Sequence, residues 1–298
     1  MITVSALTKQ YGQRIAVDNL TFDVAPGRVT GFVGPNGAGK STTMRMMVGL
    51  TRPDHGDVHY HGVSYTQLLH PARVVGSVLD ARSMHPGRTA RNHLRAAAAL
   101  SKIPSRRVEE VLNEVGLESA ADQRSGGFSL GMRQRLALAG ALLGEPEVLL
   151  LDEPSNGLDP DGIRWLRNSL GEFASRGGTV FVSSHLIAEL AMFADDLVVV
   201  GGGKLLAAEP VATTLARGDS TVVVRTAHTA ELANLLGQHD ITVDVAGDSL
   251  SAHGTSTGVV SQIVFDHRIQ VVEITEVSRS LEEILLDITG ASAEFAAA

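Results

Sequence analysis

A glycine-rich segment lies between an apolar run and an apolar, helix-like stretch. Residues 34–42 read GPNGAGKST, which fits the pattern Gly-x-x-x-x-Gly-Lys-[Ser/Thr] of a phosphate-binding loop. Glycines let the backbone wrap around phosphates, and successive N–H groups at the start of a helix bind the anion. Lys40 would reach the β- and γ-phosphates of ATP, and the Ser41 hydroxyl would ligate Mg²⁺. A glycine-rich turn without a ligand is the alternative.

The whole loop is expected to contact the nucleotide, because backbone N–H groups supply most of the binding. Its members are Gly34, Pro35, Asn36, Gly37, Ala38, Gly39, Lys40, Ser41 and Thr42.

Two adjacent carboxylates follow a second apolar run, VLLLDEP at residues 148–154. In parallel sheets ligands bind at the carboxyl ends of the strands, where both carboxylates would stand. Asp152 would hold Mg²⁺ through water, and Glu153 would act as the general base that polarises the attacking water. A solvated acidic turn is the alternative.

Short β-branched runs at 29–33, 148–151, 179–183 and 197–200 alternate with helix-like segments. This alternation predicts an α/β fold with a parallel sheet. The region 85–140 differs, because it contains three predicted helices at 89–99, 105–115 and 130–143, with Thr89 as an N-cap. We interpret it as a helical insertion in the α/β domain.

Charge divides the chain near Pro210. Residues 1–210 contain 21 basic and 21 acidic residues, whereas 211–298 contain 4 and 12, which accounts for the net charge of −8. We expect an ATPase domain at 1–210 and a small α+β domain at 211–290 with a β-α-β-β-α-β order. Residues 291–298 are expected to be disordered. The acidic second domain disfavours nucleic acid as a partner.

Composition excludes several classes of protein. The chain of 298 residues has no cysteine, so disulfides and thiol catalysis are excluded. No secretory signal is evident at the N-terminus, and no window approaches the length of about 20 apolar residues that spans a bilayer. Three histidines, His55, His59 and His61, are more typical of a hairpin edge than of a metal site.

Further motifs occur in the order found in one family, and over residues 1–210 the chain resembles the ATP-binding subunits of ABC transporters. The family's signature segment corresponds to Phe128–Met132, FSLGM, and the loop after the magnesium-binding strand to 156–159, NGLD. His185 matches the switch histidine that contacts the γ-phosphate and the attacking water. Tyr11 matches the aromatic residue that stacks on adenine, although a plain surface or core tyrosine is the alternative.

The resemblance implies an ATP hydrolase with a P-loop NTPase fold that acts as a dimer. ATP is closed between the phosphate loop of one subunit and the signature of the other, so Ser129, Gly131 and Asp159 join the nucleotide-binding set. The cofactors implied are ATP and Mg²⁺, and the partners are a second ATPase subunit, expected to be identical, and an integral membrane permease. The chain would be cytoplasmic and held at the inner face of the membrane only through that permease.

Two departures from the family pattern narrow the resemblance. Leu130 replaces the first signature glycine and Met132 the glutamine, while Asp80 occupies the position of a glutamine that senses Mg²⁺ and the permease. A carboxylate at Asp80 can still bind Mg²⁺. Both departures are similar to the branch that confers bacitracin and daunorubicin resistance, which suggests export of drugs or peptide antibiotics.

Other functions remain as alternatives. Importers usually keep the glutamine that Asp80 replaces, and ribosome-acting relatives usually carry two ATPase halves. DNA-acting relatives need a long coiled coil, which this sequence does not contain. Arg88, Arg91 and Arg95 share one helix face, which indicates either a docking surface for the permease or a solvated basic face. Residues 211–298 could regulate the dimer or only cover apolar surface.

Overall fold

The computed structural model describes residues 1–81, 83–184, 187–216, 221–277 and 280–289. It divides into two compact units, Met1–Val211 and Ala212–Ile288, each with its own buried core. The predicted disordered tail at 291–298 lies outside the described residues.

Strands in the described part of the chain are β1 (Ile2–Tyr11), β2 (Arg14–Val24), β3 (Val29–Val33), β4 (His55–Tyr60), β5 (Val63–Ser64), β6 (Val75–Val78), β7 (Val148–Leu151), β8 (Thr179–Ser184), β9 (Asp196–Gly201), β10 (Lys204–Pro210), β11 (Thr221–Arg225), β12 (Thr242–Ala246), β13 (Ser249–His253) and β14 (Glu273–Val277).

The α-helices are α1 (Lys40–Met47), α2 (Pro71–Val74), α3 (Ala90–Leu100), α4 (Arg106–Glu114), α5 (Leu130–Leu142), α6 (Pro160–Ser175), α7 (Ile187–Ala191), α8 (Val211–Leu215), α9 (Thr229–Gln238), α10 (Thr257–Asp266) and α11 (Leu281–Thr289).

The first unit is built on a sheet in the order β10-β9-β3-β8-β7-β6. Its strands are parallel except β10, which pairs with β9 in the antiparallel sense. All four predicted strands belong to this sheet, so the α/β fold class is confirmed. Every residue of β3 and β7 is buried, as expected for strands covered on both faces. The parallel register brings the carboxyl ends of β3, β7 and β8 to one edge.

A second, antiparallel sheet in the order β2-β1-β4-β5 completes this unit. Sequence analysis did not predict β1 and β2, because shifts in their pairing interrupt the alternation of apolar and polar residues. Phe22 of β2 stacks between the sheets on Phe181, with ring centroids 5.7 Å apart. The segment with His55, His59 and His61 forms the predicted hairpin between β4 and β5.

The helical insertion contains α3, α4 and α5, close to the predicted bounds. Thr89 caps α3 as predicted, since its hydroxyl accepts a hydrogen bond from the N–H of Asn92. Arg91 forms ion pairs with Asp122 and Glu109, and Arg95 lies 3.7 Å from Glu109. Arg91 and Arg95 are therefore engaged within the insertion and do not form an unpaired basic face.

The second unit has the predicted order of strands and helices. Its antiparallel sheet runs β12-β13-β11-β14, the arrangement of a split β-α-β-β-α-β motif. Alternate residues of β11 and β13 are buried, and they pack with apolar side chains of α9 and α10. The opposite sheet face contains hydroxyl and charged residues.

Candidate active site

The phosphate loop connects β3 to α1, which is the strand–loop–helix context that its motif requires. Gly39 caps the helix with φ of 101°, a conformation that side chains with a Cβ rarely adopt. A Cβ at this position would also lie 2.4 Å from the carbonyl oxygen of Ala16. The loop therefore requires glycine here for two independent reasons, its backbone conformation and its close approach to β2.

Lys40 begins α1 and points into the loop instead of the solvent. Its side chain is buried, and its Nζ donates hydrogen bonds to the carbonyl oxygens of Gly34 (2.6 Å) and Pro35 (3.2 Å). Burial lowers the pKa of the Lys40 ammonium, and the charges of Glu153 and Asp152 oppose this effect. Nζ lies 3.9 Å from Oε1 of Glu153, so the Lys40 ammonium and the predicted general base are close neighbours.

Both carboxylates stand just beyond the end of β7. The Asp152 N–H donates to the carbonyl of Val78 on β6, at 2.8 Å. The Ser183 hydroxyl of β8 donates to Oδ1 of Asp152, at 2.5 Å. This arrangement presents Asp152 at the same sheet edge as the phosphate loop. Asp80 follows β6 by two residues, and its carbonyl accepts a hydrogen bond from the Ser83 hydroxyl.

A cleft of about 640 Å³ opens beside the phosphate loop. It is lined by Tyr11, Arg14, Ala16, Pro35, Asn36, Gly37, Gly39, Lys40, Ser41, Thr42, Glu153 and Asn156. Tyr11 is half exposed at the rim, with the Lys9 ammonium 5.4 Å above its ring. Tyr11 is therefore an aromatic residue at the rim of the cleft, with part of its ring exposed.

Arg14 and Asn156 line the cleft. Arg14 was not predicted, and Asn156 was named only as the first residue of the loop at 156–159 and not as a binding residue. The Arg14 guanidinium donates to the carbonyl of Gly37 at 3.3 Å, which holds the phosphate loop against β2. Arg14 pairs with Tyr11 across the β1–β2 hairpin, so recognition of that hairpin would have identified it. Asn156 follows Glu153 closely in the sequence, and this closeness to the predicted base was the signal that could have identified it as a cleft residue.

The signature residues lie apart from this cleft. The Ser129 hydroxyl accepts a hydrogen bond from the Met132 N–H at 3.2 Å and caps α5. Asp159 caps α6 by accepting from the Gly162 N–H at 2.7 Å. Neither residue, nor Gly131, lines the cleft described above. A ligand that touches both groups of residues must therefore reach beyond this cleft.

Oxygen donors suitable for Mg²⁺ are present. The Ser41 hydroxyl lines the cleft, and Asp152 is held beside it by Ser183. A hydroxyl and a carboxylate, completed by phosphate oxygens and water, match the preference of Mg²⁺ for few protein ligands. Within the described residues no group of three or more histidines and carboxylates could hold a metal. His61 instead forms a close pair with Glu147, at 2.9 Å.

Two further observations concern the predicted switch histidine and membrane-spanning helices. His185, the predicted switch histidine, lies outside the described residues. Among the helices that the structure describes, none has the length and apolar character of a membrane span.

Comparison with known proteins gives the family. The model of the ABC transporter family matches residues 17–156, and a domain of unknown function, DUF8746, matches residues 220–282. Bacitracin transport ATP-binding protein BcrA of Bacillus licheniformis is 35% identical over 97% of this chain and 97% of its own. Nod factor export ATP-binding protein I of Rhizobium etli is 31% identical over 98% and 94%, respectively.

A solved structure agrees with these relatives. The dimeric structure of MJ0796, a bacterial ABC transporter cassette, superposes with a TM-score of 0.65 at 25% identity and covers 71% of this chain and 99% of that one. The chain belongs to the ATP-binding proteins of ABC transporters. It binds nucleotide and is an ATP hydrolase of the ABC type.

Proposed function

We propose that this chain is the Mg²⁺-dependent ATPase subunit of a membrane exporter for drugs or peptide antibiotics. The observation that carries the catalytic part is the approach of Lys40 and Glu153 to 3.9 Å in the cleft beside the phosphate loop. A buried cation and a carboxylate at the end of a parallel strand are the two charges that phosphoryl transfer to water requires.

Each group has one role in this proposal. The loop N–H groups and Lys40 bind the phosphates and stabilise the charge that develops on the γ-phosphoryl oxygens. Glu153 orients the attacking water and accepts its proton. Ser41 and Asp152 would hold Mg²⁺, which when bound neutralises the phosphate charges. Tyr11 stacks on adenine, and His185 contacts the γ-phosphate.

We further propose that two copies form the working unit. The helix start of α5 lies outside the cleft, and its N-terminus is suited to an anion. In a dimer, Ser129 and Gly131 of one subunit bind the nucleotide that is held by the phosphate loop of the other subunit. Asp159 lies at the same dimer interface. MJ0796 forms a dimer, which supports this arrangement for a related cassette.

An integral membrane permease completes the proposed transporter. Export follows from the bacitracin transport and Nod factor export relatives, which match nearly the whole chain. The protein would be located on the cytoplasmic face of the membrane, attached only through the permease. Asp80 would couple Mg²⁺ to that partner, and residues 211–290 form a separate accessory domain that tunes the dimer.

The substitution Glu153→Gln tests the catalytic proposal. It removes the base and leaves the phosphate loop intact, so ATP turnover should fall by at least about a hundredfold while ATP affinity is retained. Steady-state ATPase assays and equilibrium binding of ATP measure the two quantities. Glu172→Gln, at an exposed position on α6, is the matched control. Parental turnover in Glu153→Gln would show that another residue is the base.

Purification from detergent-solubilised membranes tests the transport proposal. We expect a polytopic membrane protein to co-purify with the chain at a fixed ratio. Co-purification with ribosomes instead would exclude the exporter.

A further inference from the structure

The backbone of Glu153 is in an unusual conformation. Its φ is 50°, in the left-handed region that residues other than glycine and asparagine seldom occupy. A glutamate in this conformation is strained and persists only where neighbouring groups hold it. The neighbours that hold Glu153 therefore determine where its carboxylate points.

Two side chains hold the backbone at this position, one at the N–H of Glu153 itself and one at the carbonyl of the following residue, Pro154. On one side, the Glu153 N–H donates to Oγ of Ser183, at 2.9 Å. The same Ser183 hydroxyl donates to Oδ1 of Asp152, at 2.5 Å, so one buried oxygen fixes both adjacent acidic residues. On the other side, Gln134 Nε2 donates to the carbonyl of Pro154, at 2.7 Å.

Gln134 is well suited to a fixed role. Its side chain is buried on α5, and its amide makes the bond to Pro154 although its Oε1 has no hydrogen-bond partner. A buried amide that leaves its acceptor unsatisfied costs free energy, which is expected where the donor has a function. Gln134 lies one helical turn after Ser129 and Gly131, so the bond joins the signature helix to the carboxylate loop.

We propose that Ser183 and Gln134 are positioning residues that clamp Glu153 in its left-handed conformation and so aim its carboxylate at the attacking water. This inference rests on the proposed role of Glu153 as the base. Neither residue lines the cleft beside the phosphate loop. The clamp acts on the rate of hydrolysis and not on the affinity for ATP.

The test uses the full-length chain with two substitutions. Ser183→Ala removes both the acceptor for the Glu153 N–H and the donor to Asp152, and Gln134→Glu removes the amide donor to Pro154. We expect each substitution to lower kcat roughly tenfold, because each removes about one hydrogen bond that positions Glu153. In Gln134→Glu, KM should change less than about twofold, and in both variants the affinity for ATP measured without Mg²⁺ should change less than about twofold, because the phosphate loop is intact. Ser183→Thr restores a hydroxyl and should recover much of the loss.

Matched controls separate positioning from stability. Ser169→Ala removes a comparable hydrogen bond, to the carbonyl of Trp165 on α6. Gln238→Glu makes the same amide-to-carboxylate change at an exposed position. Both controls should keep the parental kcat, and the thermal midpoints of all variants should be recorded. The clamp is supported if kcat falls in the two test variants by more than the loss of folded protein that their thermal midpoints indicate.

Three results would overturn the inference. These are parental kcat in both test variants, loss of ATP affinity in proportion to activity, or the same fall in Ser169→Ala. The Glu153→Gln variant distinguishes a failure of the clamp from a failure of the proposed function. If that variant is inactive while the clamp variants are parental, the base is correct and only the clamp is wrong. If Glu153→Gln is active, the proposed function itself fails.

Discussion

The two units of this chain differ in how many polar side chains they bury. In the described residues of the first unit, the buried polar side chains are Thr30, Lys40, Thr43, Ser125, Gln134, Thr179, Ser183 and Ser184, and Lys40 and Ser183 among them contact the phosphate loop and Glu153, respectively. In the second unit the buried polar residues are two threonines, Thr214 and Thr226. Each buried side-chain atom found without a hydrogen-bond partner, among the residues described, also lies in the first unit.

Part of this difference lies at the candidate site, where Lys40, Gln134 and Ser183 are buried, and part lies in the helical insertion, where His93 and Arg107 each bury a nitrogen without a hydrogen-bond partner. Polar burial without full pairing costs free energy, and proteins tolerate it mainly at functional sites. The second unit exposes some of its charged residues on one face of its sheet, where His253 contacts Asp244 at 2.9 Å and both side chains are partly exposed to solvent. Its stability is expected to come from its apolar core alone.

The largest effect should come from matched glycine-to-alanine substitutions in the two units. Gly39→Ala forces a Cβ against the Ala16 carbonyl at a φ of 101° and should weaken ATP binding on the order of a hundredfold. Gly237→Ala, in α9 with open space around the position, should instead stabilise the protein by about 0.5–1 kcal/mol. Nucleotide titration and thermal denaturation measure both. Equal ATP affinity in Gly39→Ala would contradict the described loop.

An intermediate effect is expected when the second unit is removed. A chain that ends at Val211 keeps every residue of the cleft and the complete core of the first unit. We expect it to fold and to bind ATP, with altered dimerisation or turnover if the second unit regulates. Aggregation would show that the second unit mainly covers apolar surface. Loss of ATP binding in a folded, soluble truncation would show that part of the site lies beyond residue 211.

The smallest effect concerns a partly buried histidine of the first unit. Burial lowers the pKa of His93, and the charge of Arg88 lowers it further. Because the unfolded chain then binds a proton more readily than the folded one, stability should fall as pH drops through about 6.5. His93→Gln should flatten this dependence by a fraction of a kcal/mol. Denaturant unfolding between pH 8 and 5, with Asn92→Gln as a control, measures it. An unchanged slope would contradict the expectation.

Much of the first unit could be predicted because its chemistry and its buried strands leave local signals. The phosphate loop, VLLL followed by two acids, and a Ser129 cap are each visible in a few consecutive residues. The irregular strands β1 and β2 were missed, since Ala6 and Asn19 take positive φ and break the two-residue period. Ser183 and Gln134 were also missed, because their roles depend on contacts with residues 20 or more positions away.

The second unit shows the opposite limit. Its β-α-β-β-α-β order was predicted from the sequence and matches the observed order of elements. Its pattern of buried and exposed positions indicated a stable sheet but no ligand. A sequence can therefore describe the architecture of such a domain while leaving its partner unidentified.

Leu130, the residue that departs from the family's glycine, lies directly against Gly157 in the loop after Glu153. A Cβ on Gly157 would fall 2.2 Å from Cδ2 of Leu130, and the φ of Gly157 is 70°. Leu130 therefore adds a steric restriction to the one that the backbone conformation of Gly157 already imposes. A glycine at 130 would remove the steric part of this restriction and leave the conformational part. The altered signature helix and the loop after Glu153 are thus fitted to each other in shape, and a side chain at 157 would be better tolerated in Leu130→Gly than in the parent chain.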